Sequence, residues 1–139
     1  MAQYVHAITA FATARAAVAS AYELPKLRRR RLHEAGRLSR QLERGGLPWM
    51  SALASLVAGA VANADGDLSS ARSHLQAAAA HADAANMSLH ASAARHRLGT
   101  SLGGDEGREL VEQAEDAMRA KAVQAPARYV GMLVPGRWS

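Results

Sequence analysis

The sequence predicts an all-α fold, three antiparallel helical hairpins stacked as a short α-solenoid, and three observations predict it. Nearly a quarter of the 139 residues are alanine, the strongest helix former, while β-branched residues are sparse, with one Ile and three Thr. Apolar residues recur at steps of three and four, and no stretch alternates as a sheet strand does. Gly and Pro punctuate the chain so closely that neighbouring helices are forced to run antiparallel. The length allows one domain, residues 1–139, and with aromatics at 4% its core is built from small side chains.

Each element follows from local signals. A first helix is expected over about Gln3–Tyr22, ended by Pro25 as a breaker. A second runs from about Lys26 to Arg44, where GGLP supplies two glycines for the stop and a proline for the next start. The third spans about Pro48–Ala64, with Leu53, Leu56, Val57, Ala60, Val61 and Ala64 as one stripe. DGD at 65–67 turns the chain into a fourth helix over about Leu68–Ala85, striped by Leu68, Ala71, Leu75, Ala78, Ala79 and Ala82. The fifth covers about Ser88–Leu102, and a sixth, about Asp105–Val123, buries Leu110, Val111, Ala114, Ala117 and Met118. The hairpins therefore occupy residues 3–44, 48–85 and 88–123. Residues 124–139 carry two prolines and two glycines and read as an irregular tail, with Tyr129, Met132, Leu133 and Trp138 packing back on the last hairpin.

Helical repeats leave a spacing signature. Ala58-Gly59, Gly66, Ala71, Leu75 and Ala78 stand at the small, turn-glycine and bulky offsets of the tetratricopeptide pattern, although Ser55 and Ala62 fill its aromatic positions. The solenoid is therefore read as tetratricopeptide-like.

GGDEG, residues 103–107, differs by one letter from the GGDEF signature of diguanylate cyclases. That chemistry needs a β-hairpin around the glycines. Here Leu98 and Leu102 precede them, and Leu110, Val111, Ala114 and Met118 follow, all at helical spacing. The glycines read as a helix stop, with Asp105 as the cap of the next helix and Glu106 and Glu109 favoured by its dipole.

Other chemistries are excluded in turn. The chain has no Cys, hence no disulfide, thiolate metal site or cysteine nucleophile. Asn63, Asp65 and Asp67 have the alternate spacing of a calcium loop, but Leu68 and His74 stand where it needs Gly and Glu. His33-Glu34 begins like HExxH, with Arg37 in place of the second His. No Walker loop, nucleophile elbow or kinase signature occurs. The expectation is no catalytic residue, no metal and no cofactor. No apolar run reaches membrane-spanning length, and AITAFATARAAVASA lacks a signal peptide's basic start and is interrupted by Arg15, so a cytoplasmic, non-membrane protein is expected.

The net charge is +5, but residues 26–44 hold Lys26 and seven arginines against Glu34 and Glu43, an excess of six that leaves the rest at −1. On a helical projection Leu24, Leu27, Ala35, Leu38 and Leu42 face inward, with the stems of Arg28 and Arg31 beside them. Arg29, Arg30, Arg37, Arg40 and Arg44 form the outer stripe with His33. Guanidinium groups suit carboxylate and phosphate, so the stripe is a candidate for an acidic or phosphorylated protein partner. Nucleic acid is the alternative, weakened by the lack of aromatic residues for base stacking. The sixth helix is strongly acidic, which makes head-to-tail self-association a further expectation. Ser92, His96 and Arg97 on the fifth helix are secondary candidates for partner binding.

From Leu47 onward the residues LPWMSALASLVAGAVANADGDLSSARSHL, AARHRLGTSLGGDEGRELV and MRAKAVQAPARYVGMLVPG, preceded by RLHEAGRLSRQLERGG, resemble the C-terminal tetratricopeptide-like region of myxobacterial eukaryotic-like serine/threonine protein kinases. The resemblance covers roughly the last hundred residues. It implies a helical interaction module, a detached remnant or a separately encoded partner of such signalling proteins. The kinase catalytic domain is absent, so phosphotransfer is not implied, and Ala117 stands where an aromatic is expected beside Met118, a departure that would loosen the final hairpin.

Overall fold

The computed structural model describes residues 2–138, and they form seven α-helices with no strand among them. They are α1 (Ala2–Glu23), α2 (Arg28–Glu43), α3 (Pro48–Ala64), α4 (Leu68–Ala84), α5 (Ser88–Leu102), α6 (Gly104–Ala120) and α7 (Pro126–Leu133). Each of the first six packs on the next in chain order, α1 also touches α3, and α7 lies on α5 and α6. This sequential packing is that of a helical repeat array. Among the described residues no helix is long and apolar enough to cross a membrane.

Small side chains set the core. Ala14, Ala35, Ala52, Ala71, Ala78, Ala93 and Ala94 are fully buried, and they bring backbones close around Leu42, Leu53, Leu56, Leu75 and Met118. Dense packing follows, since protein interiors fill space like crystals whatever the side-chain size. The closest approach joins α5 to α6. A Cβ on Gly99 would lie 2.6 Å from the Gly107 carbonyl oxygen, and one on Gly107 would collide with the Gly99 carbonyl. The last letter of GGDEG is therefore the contact point of two helices, a position with no room for a phenyl ring.

The turns share one device. α3, α4 and α6 end in the same Schellman geometry, in which Asp67, Met87 and Val123 donate their amides to the carbonyls of Ala62, Ala82 and Met118 at 2.9, 2.8 and 3.0 Å. The left-handed residue is Gly66 in the first, Asn86 in the second and Ala122 in the third. Asp67 then caps α4 by accepting the Ser70 amide at 3.1 Å. Hydrogen bonds from Ser70 hold its carboxyl below the usual range. The NADGD segment is thus a helix stop and a helix start.

Several expectations are corrected. Residues 126–133 are helical: Pro126 opens α7 and Pro135 follows its end, so the two prolines bracket a helix. Met132 is exposed, while Leu133 and Trp138 are buried and Tyr129 is half-buried. Leu24 is exposed because Pro25–Leu27 form a separate turn of 3-10 helix, which starts α2 later and lets Leu32 face the core. Leu68 and Leu102 are exposed, as each sits at a helix end. Ala117 is exposed too, so its small side chain opens no gap behind the fully buried Met118. Asp105 caps nothing: α6 starts on Gly103 with no side-chain cap, and Asp105 pairs with Arg108.

Candidate functional site

Two surfaces carry chemistry, one on α2 and one on the side shared by α1, α3 and α5. On α2, Leu32, Ala35, Leu38 and Leu42 face inward, which turns Arg29, Arg30, Arg37, Arg40 and Arg44 to solvent as the periodicity predicts. Among the described residues none of these five makes a hydrogen bond or ion pair within the chain. The acidic neighbours are engaged elsewhere: Glu34 pairs with Arg31 at 3.3 Å and Glu43 accepts from the Ser51 hydroxyl at 3.2 Å. Arg28 reaches across to the carbonyl of Ala64, placing a cation at the C-terminus of α3. Arg31 is half-buried, as expected of a snorkelling stem.

The stripe resolves into two rows. Arg29, His33 and Arg40 border a groove of about 420 Å³ between α2 and α3, which they share with Asp65. Gly36 leaves room in the middle of that row, where the Arg40 guanidinium lies 3.5 Å from the position of a Cβ. Arg30, Arg37 and Arg44 recur every seven residues, nearly two turns, and so line up on the outer side at steps of roughly 10 Å. A second groove of about 620 Å³ runs beside Arg40 between α2 and α4, floored by Ala54, Ser55 and Ala58 of α3 and also lined by Glu43, Asp67 and His74.

Half of the acidic counterpart is paired at home, while Glu106, Glu109 and Glu112 have no basic partner among the described residues. On α6, Glu115 accepts from His96 at 2.9 Å and pairs with Arg119, Asp116 also meets Arg119, and Asp105 meets Arg108. Among the described residues no group of three acidic or histidine side chains could hold a metal ion.

The candidates on α5 are not free surface. Ser92 and His96 are buried, the latter against Glu115, and Arg97 is half-buried under the C-terminal segment. The reason is that α5 lies between α4 and α6 and is crossed by the tail, so nearly all its sides are covered. Arg97 donates from Nε to the carbonyl of Val134 at 2.9 Å and stacks on the Trp138 ring, 5.5 Å from its centroid. Burial lowers the guanidinium to about 10, against the opposing influence of Tyr22.

Arg97 does not act alone. Arg15 of α1 donates to the carbonyl of Met132 at 3.2 Å, and Asn63 of α3 donates to that of Arg137 at 2.9 Å. Arg137 in turn lies 5.8 Å from the Tyr22 ring centroid. The tail thus packs beyond the last hairpin and crosses the face of α1, α3 and α5. Nothing in the periodicity singled out Arg15, Tyr22 or Asn63. The one available signal was Arg15 itself, the only Lys or Arg of α1.

GGDEG joins α5 to α6, with helix on both sides. Its Gly103 adopts the positive φ of 67° that makes glycine the natural stop for α5. No family model, no curated protein and no solved structure matches the chain.

Proposed function

We propose that the chain is a non-catalytic protein-interaction module, a tetratricopeptide-like stack of three helical hairpins that docks an acidic or phosphorylated partner segment along α2. The observation that carries this is the outward row of Arg30, Arg37 and Arg44, exposed and without an acceptor among the described residues. Its steps of roughly 10 Å match about one turn of polyproline II chain, three residues at about 3.1 Å each, so the fitting partner is a polyproline II segment with an acid or phosphate at every third position on one face. Arginine is the suitable cation because its planar fork binds carboxylate and phosphate in pairs of hydrogen bonds. The resemblance of the last hundred residues to kinase-associated helical regions supports a place in bacterial serine/threonine kinase signalling, where phosphorylated segments arise.

The test is a titration of a synthetic extended peptide carrying phosphoserine at every third residue, against its unphosphorylated form. Binding of the phosphorylated peptide, and its loss in the Arg37→Glu/Arg40→Glu double variant with unchanged helicity, is the expected result. Equal binding by wild type and double variant removes α2 from the account. A parallel titration with DNA and RNA at low salt separates the readings, since tight binding that falls steeply with salt would mark a nucleic-acid protein.

A further inference from the structure

The C-terminal segment is held in the manner of a bound peptide. Three donors on three helices, Arg15, Asn63 and Arg97, converge on main-chain carbonyls of Met132, Arg137 and Val134. Main-chain carbonyls are common to every sequence, so these contacts fix the end of α7 and the irregular segment after it in place without reading their side chains. Reading is left to buried side chains and one tight approach, with Leu133 and Val134 set in the core. Trp138 is buried beneath Arg97, and Gly136, with φ of 131°, passes so close to Tyr22 that a Cβ there would lie 2.9 Å from the phenol oxygen.

We propose that the face of α1, α3 and α5 is a peptide receptor, that Met132–Trp138 is its ligand in cis, and that a partner segment of the same chemistry takes its place in trans. That chemistry is an aliphatic pair followed by Pro-Gly, a basic residue and a tryptophan. The inference does not depend on the α2 reading, because the two surfaces share no residue. The tail is tethered through α7 to the short connection after α6, so it competes at an effective concentration in the millimolar range. The receptor is therefore masked until the tail is released.

The probe is the peptide VGMLVPGRW, labelled at its N-terminus and titrated into the full chain by fluorescence anisotropy. The Gly136→Val variant alters the ligand and leaves the receptor intact. It is expected to keep its helicity and to bind the peptide at least about tenfold more tightly than wild type, since the cis competitor is gone. Adding Asn63→Ala to that variant is expected to weaken binding by about tenfold, the loss of one well-placed hydrogen bond to the ligand. A peptide carrying the same Gly→Val change should not bind. Equal affinity for wild type and variant, no binding to either, or indifference to Asn63 would each overturn the proposal. Trp138→Ala serves as a second releasing variant; if both releasing variants unfold, the segment is a core element and not an exchangeable ligand, which also overturns it.

Discussion

The α2 surface and the face of α1, α3 and α5 both present arginines, yet one leaves them without acceptors and the other uses them up. Among the described residues the guanidinium groups of Arg30, Arg37 and Arg44 have no hydrogen-bond or ion-pair partner, while Arg15 and Arg97 are spent on carbonyls of the C-terminal segment. A partial form of the same contrast separates α2 from α6, where Asp105, Glu115 and Asp116 are matched by Arg108, Arg119 and His96 while Glu106, Glu109 and Glu112 have no basic partner among the described residues. Composition alone ranks α2 and α6 as equal and opposite poles. The difference teaches that availability, set by what the neighbouring elements donate or accept, decides which charged surface is open to a partner.

The joint between α5 and α6, beside the occupied face, is the most sensitive place to break the comparison. Gly99 and Gly107 meet backbone to backbone, so neither side has a flexible group that can yield. Gly107→Leu is expected to destabilise the chain by about 3 kcal/mol or more, since overpacking of a tight contact outweighs the gain of about 1 kcal/mol in helix propensity. Urea unfolding followed by circular dichroism gives the measurement, as a lower midpoint at unchanged slope.

A pH titration sharpens the contrast from the occupied side. His90 of α5 lies 6.2 Å from the Phe11 ring of α1, and burial first, then the charge of Arg15, holds its pKa below 6.5. The unfolded chain therefore takes up the proton more readily. Stability is expected to be insensitive to this group above about pH 6.5 and to fall as pH drops below it, by at most about 1.4 kcal/mol per pH unit for one proton. His90→Gln should flatten that part of the profile in thermal melts at pH 5 and 7.5, with the α2 surface unaffected.

The connection that feeds the tail offers a smaller, favourable change. Ala122 sits at φ of 66°, in the position that Gly66 and Asn86 fill in the sister turns. Ala122→Gly removes the Cβ strain and is expected to raise stability by about 0.5–1 kcal/mol, less what the freer unfolded chain takes back. A rise in melting temperature of a few degrees checks it.

Much of the scaffold was legible because periodicity and punctuation are local signals. Pro48 and Ala64 bounded α3, and Ser88 and Leu102 bounded α5, at the residues the sequence pointed to. The outer arginines were legible for the same reason, as one helix's face is set by its own spacing. The tail was not. Prolines were read as breakers of structure when they were brackets around α7, a matter of which side of a helix each falls on. The burial of Ser92 and His96 was also beyond reach, since it depends on α6 and on a segment some forty residues away. Side chains such as Arg15 and Asn63 meet their partners across 117 and 74 residues, and no local pattern encodes a separation of that kind.

The smallest expected effect is the most informative about α2. If Arg37 and Arg40 were structural, reversing them would uncouple them from partners and leave buried groups unsatisfied, at a loss of 1 kcal/mol or more for each group by the usual order of magnitude, about 1–3 kcal/mol. They are exposed and make no hydrogen bond or ion pair among the described residues, so Arg37→Glu/Arg40→Glu is expected to shift unfolding free energy by no more than about 0.5 kcal/mol. Relief of repulsion among the arginines acts in the opposite direction to any loss of solvation, and salt damps both. An urea midpoint that falls sharply would mean that these guanidiniums hold the fold, and the contrast between an open α2 and an occupied opposite face would then collapse. A midpoint that stays put leaves five cations on one helix face that stability does not explain, which is the condition docking along α2 requires.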